Sequence, residues 1–380
     1  MRQKTLITEW LVHKNRQTVV LIVAWIVLHL FLFFHFGIVT GLEAGKYIDR
    51  ANDLVKQGAY PTDNFIFYST EILLIAAAKC LHLGYGVVVT VQLGFNALAC
   101  YCFYRIVEKL TKQNKAPFYF TLGFIAMFFY QLYNIYLFTE SLYFSFSILF
   151  FYRLLKFSTF RLRQFVEVVL WLILLCFTRP VGLFFLPSTF VFIIFKFYRE
   201  QATMLLLTAG VIVCVAFFFL INYSRNSGEE YDYILRFTDG YVICGIPSMP
   251  AKSIQFPVKE NSLQGLAYLM IHYPGYFFSL FFQRLLAFFS AVRRYYSLPH
   301  NLFVAGYFCS LYVLAVWGIK KNFRIHGAEI LFMLLLIFFT ALSAGLACDE
   351  WHSRFLYTVF PFLMLLAALA FAPLQTKNKV

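Results

Sequence analysis

Thr18-Val-Val-Leu-Ile-Val-Ala-Trp-Ile-Val-Leu-His-Leu-Phe-Leu-Phe-Phe-His-Phe-Gly-Ile-Val-Thr40 contains no Asp, Glu, Lys or Arg. An uncharged apolar run of about 20 residues or more can cross the roughly 30 Å of bilayer hydrocarbon as a helix. This run exceeds the apolar region of a secretory signal peptide, and no convincing small-residue cleavage site follows it. It therefore reads as a retained first span.

The rest of the chain is of the same kind. Of 380 residues, 61% are hydrophobic, 21% aromatic and only 13% charged, against about 25% charged in an ordinary soluble domain. Further runs near 86–105, 116–132, 141–155, 165–178, 183–198, 202–222, 301–319, 328–346 and 355–373 bring the count to about ten spans. The expectation is an all-α, polytopic membrane protein with one transmembrane domain over 1–380. Gly275 to Val292 is apolar enough to span but carries Gln283 and Arg284 at its middle. As a span it would put Lys320, Lys321 and Arg324 outside, so it is expected to lie in the interface.

A net charge of +14 would suggest nucleic acid as a partner of a soluble protein. Here the bases concentrate in the connectors 106–115, 156–164, 196–201 and 320–327 and at both termini. That is a topology signal, which excludes a nucleic-acid role and predicts both termini in the cytoplasm. The acids on that side are then Glu9, Glu108, Glu167, Glu200 and Glu329, and all others face outward. The eight Cys lack metal-ligand spacing, and Cys100, Cys102, Cys176, Cys214 and Cys309 fall inside apolar runs. No disulfide framework or zinc site follows; a Cys244–Cys348 bridge is possible but unsupported.

Two long outward segments, 41–85 and 223–300, are neither repetitive nor Ser/Gly-rich, so both are expected to fold over the membrane surface. In the first, Glu43 to Gln57 reads as a helix ended by Gly58, Tyr60-Pro61 as a turn, and Ser69 to Leu83 as an amphipathic helix. The second, with Asp232, Arg236, Asp239 and several Tyr, is expected to cover a site and select its acceptor.

A charge near hydrocarbon costs several kcal/mol unless paired or hydrated. Glu43, Glu140 and Arg179 stand at the outer ends of expected spans, and Asp49, Arg284, Arg293, Arg294, Glu350, His352 and Arg354 fall at a similar depth. A cluster of both signs on one face suits a polar, anionic substrate.

Four motifs carry a resemblance. Glu43-Ala-Gly-Lys-Tyr47, with Ala51, Leu54, Gly58 and Tyr60-Pro61, is similar to the first outer loop of glycosyltransferase C superfamily enzymes. Phe138-Thr139-Glu140-Ser141-Leu142 resembles the acidic position at that family's third-to-fourth span junction. Thr178-Arg179-Pro180-Val181-Gly182 resembles an Arg-Pro-x-Gly turn of bacterial mannosyltransferase-like members. Glu350-Trp351-His352-Ser353-Arg354-Phe355 with Pro361 resembles the family's final acidic, Arg, aromatic and Pro pattern. The chain departs from the family where an Asp or an acidic pair is usual, having the single Glu43 with Asp49 six residues on.

The resemblance implies an inverting, membrane-embedded hexosyltransferase. The donor would be a polyprenyl-phosphate sugar and the acceptor a lipid, glycan or protein outside the cytoplasm. Short loops and the absence of an organelle signal point separately to a bacterial inner membrane. Such a transfer needs a carboxylate to take the acceptor proton. The base lies between Glu43 and Asp49, and because six residues turn an ideal helix by about 600° the two point to different sides. Glu43 fits the family position better. The leaving phosphate needs cations, for which Arg354 and Arg179 are the candidates, with Arg284, Arg293, Arg294 and His352 behind them. Tyr47, Glu140 and Glu350 are candidates for the acceptor or a metal. No cofactor is required, and a divalent cation shared by Glu43 and Glu140 stays open, since scattered carboxylates are a poor metal signature. The main rival is a transporter or flippase of lipid-linked sugars, which would show repeats and mid-span charges. Further rivals are a surface-polysaccharide polymerase or ligase and a non-catalytic scaffold.

Overall fold

The computed structural model describes residues 2–60, 63–158, 161–198, 233–251, 253–255 and 263–373. These form helices throughout, apart from one two-stranded hairpin. The first half contains α1 (Arg2–Phe36), α2 (Glu43–Gln57), α3 (Ser69–Cys80), α4 (Tyr85–Thr111), α5 (Ala116–Ala126), α6 (Phe128–Leu132), α7 (Thr139–Lys156), α8 (Leu162–Cys176) and α9 (Phe185–Phe197). The second half contains α10 (Tyr233–Thr238), the strands β1 (Tyr241–Ile243) and β2 (Ile246–Pro247), α11 (Leu263–His272), α12 (Pro274–Ser290), α13 (Leu298–Asn322), α14 (Gly327–Leu346) and α15 (Arg354–Ala368).

Six described helical stretches are long and apolar enough to cross a membrane: Arg16–Phe36, Tyr85–Thr111, Pro180–Phe197, Leu298–Asn322, Gly327–Leu346 and Arg354–Phe371. A seventh is the pair Ala116–Ala126 and Phe128–Ile135, bent by 61°. The chain is thus an all-α, polytopic integral membrane protein. Of the three other expected spans, 202–222 lies outside the described residues. The segments 141–155 and 165–178 are helices, but α7 carries Glu140, Arg153 and Lys156, and α8 has only 15 residues. That length rises about 22 Å, less than the hydrocarbon thickness. At the bend, Gln131 Nε2 donates to the Phe124 carbonyl at 3.1 Å. A side-chain amide thus caps a carbonyl that the broken ladder releases.

Burial separates the helices into two kinds. Along α1 the side chains of Val19, Val20, Ile22, Val23, Val27 and Phe34 are exposed, as a lipid-facing helix requires. In contrast, α7 and α15 are buried along nearly their whole length. The second packs closely on α13, where a Cβ on Gly318 would come within 2.2 Å of the Leu366 carbonyl oxygen. Because α7 and α15 form the centre of the bundle, the first-turn residues of both, Glu140 and Arg354, are forced into the interior at the same end.

The segment 41–85 folds as expected at its start. Helix α2 covers Glu43–Gln57 and stops at Gly58, whose φ of 73° is the left-handed conformation that glycine adopts without cost. Its buried face is Ala44, Tyr47 and Ala51. Helix α3 begins at Ser69 but ends at Cys80, short of Leu83, with His82 at a φ of 54°. The expected turn at Pro61 falls outside the described residues, as do Asp232 and the rest of 223–232 in the segment 223–300.

Candidate functional site

Main-chain contacts bring four chain segments to one place. Val39, just after α1, donates its N–H to the Ile135 carbonyl at 3.0 Å and accepts from Leu137 N–H at 3.2 Å. This short parallel bridge sets the approach to Glu43 against the approach to Glu140. Thr70 N–H reaches the Phe177 carbonyl at 3.1 Å, and the Thr178 hydroxyl donates to that of Thr70 at 3.0 Å. Together these pin α3 to the turn carrying Arg179. Within that turn a Cβ on Gly182 would sit 2.2 Å from the Leu175 oxygen, so only glycine lets the chain fold back on α8.

The result is a charge cluster built around Arg354. Its guanidinium donates through Nη2 to Glu43 Oε2 at 2.6 Å and through Nε to Glu140 Oε1 at 2.6 Å, and Nη1 lies 3.7 Å from Glu350 Oε2. Arg179 also pairs with Glu140, and Lys46 lies 3.6 Å from Glu43. Glu140 is fully buried, Arg179 and Arg354 are 7% and 8% exposed, and Glu43 is half-buried. Three carboxylates thus balance three cations. Arg354 is the hub, and Glu43 is the open edge.

Burial works against the charged form of Glu43, but Arg354 and then Lys46 outweigh it and hold its carboxyl down at about 2. Tyr47 is buried beside the Tyr68 ring, 5.6 Å between centroids. Burial and the nearby Glu43 and Glu140 push its phenol up. Below the cluster, the Ser141 hydroxyl donates to Asn134 Oδ1 at 2.7 Å, and Asn134 Nδ2 contacts Gln131 Oε1 at 3.0 Å and His29 Nε2 at 3.1 Å. This buried amide network locks α1 and the α5–α6 region to the start of α7.

Glu43 and Arg354 both follow backbone that glycine adopts more readily than other residues. Leu42, before Glu43, has φ 56° and ψ −130°. His352 and Ser353, before Arg354, both have φ of 57°. Strain of this kind costs roughly 1–3 kcal/mol per residue and gathers where a site dictates the backbone.

The other expected site residues are not brought into the cluster. Asp49 is exposed on the outer face of α2. Arg284 is fully buried and spends its donors on backbone: Nε on the Tyr241 carbonyl at 2.7 Å, Nη2 on that of Arg236 at 2.7 Å, and Nη1 on those of Gly345 and Leu346 at 3.2 and 3.3 Å. It is a strut between α12, the hairpin and the end of α14, not a phosphate ligand. Arg293 is likewise buried, paired with Asp349 and donating to the Ala287 and Val292 carbonyls. Arg294 is exposed. His352 is exposed and shares a 2.9 Å hydrogen bond through Nδ1 with the Tyr296 hydroxyl.

Asp349 and Glu71 were missed, and the Cys244–Cys348 bridge, possible but unsupported in the sequence, is present. Asp349, beside the Glu350 that was chosen, is the buried partner of Arg293. Burial raises its carboxyl to about 6 against the pull of Arg293. Cys244 and Cys348 form a disulfide, and the Cys244 N–H donates to the Asp349 carbonyl at 2.9 Å, so the hairpin is stapled to the strand leading into Arg354. Glu71 is fully buried with Gln92 Nε2 at 3.1 and 3.3 Å from its two oxygens. Gln92 also donates to the Tyr136 carbonyl at 3.2 Å. Glu71 shares the buried stripe of α3 with Ile72, Ile75 and Ala76, a spacing visible in sequence.

Burial drives the Glu71 carboxyl up to about 8 despite the hydrogen bond from Gln92. Its ordinary value is 4.5, so between these two limits the folded chain holds a proton that the unfolded chain has lost. Stability must then fall as pH rises from 4.5 to about 8. In Glu71→Gln the share of that slope due to Glu71 is expected to vanish, leaving the share of Asp349 below about pH 6, with a gain on the order of 2 kcal/mol above pH 8, allowing for relaxation around the buried group. Thermal unfolding of both proteins in detergent, at about pH 5 and about pH 9, checks this.

Among the described residues no three His, Cys, Asp or Glu side chains converge as metal ligands. Glu43 and Glu140 share a guanidinium instead. Compared with protein-family models, curated proteins and solved structures, the chain matches none.

Proposed function

We propose that this protein is an inverting glycosyltransferase of glycosyltransferase C type, with about ten spans. It would move a sugar from a polyprenyl-phosphate donor to an acceptor hydroxyl on the non-cytoplasmic face of a bacterial inner membrane. The observation that carries this reading is the 2.6 Å contact of Glu43 with Arg354 at a half-open edge, backed by buried Glu140 and Arg179. The reaction needs a carboxylate and a guanidinium side by side. The four motifs that resemble the family supply every member of that cluster.

In this mechanism the donor phosphate competes with Glu43 for the outer edge of Arg354. Planar guanidinium binds phosphate in a fork. Drawn toward phosphate, Arg354 no longer neutralises Glu43, whose carboxylate becomes a stronger base. It accepts the acceptor proton as the oxygen bonds to the anomeric carbon, and the breaking glycosidic bond leaves its electron pair on the phosphate. The products are the glycosylated acceptor, polyprenyl phosphate and a proton on Glu43. Arg179 and Glu140 fix the position of Arg354, and Tyr47 walls the base.

The test is sugar transfer by the purified full chain from a panel of radiolabelled polyprenyl-phosphate sugars to membrane-lipid extracts. Transfer supports the reading. No transfer with any donor, alongside movement of lipid-linked sugar across proteoliposomes, overturns it in favour of a flippase.

Orientation has its own test. A disulfide persists in an oxidising compartment, so Cys244–Cys348 supports placing this face outside the cytoplasm. In spheroplasts an impermeant maleimide is expected to label this pair only after treatment with an impermeant reductant. No labelling after reduction would place the pair in the cytoplasm, and labelling before it would show the pair outside but unbonded.

A further inference from the structure

The turn of the hairpin carries Cys244, and the bridge from it to Cys348 has a cation at both sulfurs. Arg236, in α10, donates through Nη1 to Cys244 Sγ at 3.5 Å and to Cys348 Sγ at 3.4 Å. Arg284 adds positive charge close by, its Nη2 on the Arg236 carbonyl at 2.7 Å. The carboxylate next in sequence to Cys348, that of Asp349, is matched by Arg293. A disulfide is neutral and gains little from a guanidinium, whereas a thiolate formed from it is held strongly. The pair is thus easier to open than a bridge without such a neighbour.

The two sulfurs differ in access. Cys348 is fully buried, while Cys244 is half-buried beside exposed Gly245. A thiol arriving from solvent meets Cys244 first, and the S–S bond breaks toward Cys348, whose thiolate forms against the guanidinium. Lowering the pKa of the leaving thiol in this way speeds exchange.

The bridge also reaches the charge cluster through the backbone. Asp349 N–H donates to the Val242 carbonyl and Cys244 N–H to that of Asp349, both at 2.9 Å. Beyond this short ladder come His352 and Ser353, each with a φ of 57°, and then Arg354. Strained backbone persists only where its surroundings over-determine it, and the bridged ladder is what holds this turn on its entering side.

We propose that Cys244–Cys348 is an exchange site for a dithiol outside the cytoplasm, and that opening it unlatches the turn that presents Arg354. The first sulfur of the dithiol bonds to Cys244 and displaces Cys348. The second then attacks the first, releasing Cys244 and closing the reagent's own disulfide. Two electrons pass to the protein pair, and the reagent's two protons go to Cys244 and Cys348 or, where Arg236 holds a thiolate, to solvent. The effect on sugar transfer rests on the reading above.

The experiment follows reduction of the full chain in nanodiscs by dithiothreitol, with Cys244 and Cys348 read by differential alkylation and peptide mass. Arg284 holds the main-chain carbonyl of Arg236, so Arg236→Met keeps that strut. This variant is expected to slow reduction about tenfold and to make it about tenfold less favourable, a potential lower by about 30 mV, while Arg236→Lys restores most of both. If Arg236 merely packs over the bridge, its removal exposes the sulfurs and speeds reduction, and that result overturns the exchange site. With glutathione, a monothiol, the mixed disulfide is expected on Cys244 and the alkylated thiol on Cys348; the reverse overturns the order of attack. Hydrogen exchange in peptides covering 346–354 is expected to rise severalfold on reduction, and in Cys244→Ser without reductant. Unchanged exchange there overturns the latch. Transfer should fall on reduction and return on reoxidation. Transfer indifferent to reduction overturns the link to Arg354, and thiol and exchange results as expected with no transfer by the wild type remove the transferase reading alone.

Discussion

Glu43→Gln is expected to lower turnover by a factor on the order of 10²–10⁴, the usual contribution of a positioned general base, while donor binding is kept or tightened. The carboxylate is removed, but so is the competitor for the outer edge of Arg354. A neutral amide there frees the guanidinium for phosphate. The pattern to look for is therefore a collapse of kcat without a rise in the Kd for the donor. Asp49→Asn, altering an exposed group on the far side of α2, should leave turnover unchanged. Activity that survives Glu43→Gln and is lost in Asp49→Asn would transfer the base to Asp49 and require α2 to rotate when the donor arrives.

The largest effect on stability is expected from Glu140→Leu. It strips the shared partner from Arg179 and Arg354, both nearly or wholly removed from solvent. Breaking a buried pair by deleting one member costs roughly 3–5 kcal/mol, because a charge stays behind without compensation. Replacing a whole buried pair by apolar groups is often close to neutral. The double change Glu140→Leu, Arg179→Leu should thus recover much of the loss, with Arg354 still held by Glu43 and Glu350. Unfolding of the single and double variants in detergent gives the coupling directly. A double variant as unstable as Glu140→Leu alone would mean that Arg354, and not Arg179, is the cation left stranded.

How far the sequence could be read depended on whether the signal was local. Helix α2 was legible from its first residue to its glycine stop, because a start, a stripe and a stop all lie within one short segment. The long apolar helices were legible for the same reason. The break between α5 and α6 was not, since no proline or glycine marks Met127, and the bend is secured by Gln131 bonding back to Phe124. Among the charged residues, Glu43, Glu140, Arg179 and Arg354 could be gathered by depth alone. Depth could not separate them from Arg284 and Arg293, whose guanidinium groups look the same in sequence and differ only in what their N–H groups meet. Saturation by carbonyls from three chain segments is a tertiary fact. So is the Cys244–Cys348 bridge, which joins positions 104 residues apart. Glu71 lies on the buried stripe of α3, but the pattern of an amphipathic surface helix does not by itself show which of its polar residues is buried.

Arg354 contacts Glu43 across 311 residues of chain and Glu140 across 214. During synthesis the two carboxylates enter the membrane early and the guanidinium last. Until α15 is inserted, Glu140 has Arg179 alone and Glu43 has only Lys46. Insertion of α15 is then the step that completes the charge balance, and a chain halted before it would carry the acids without their hub.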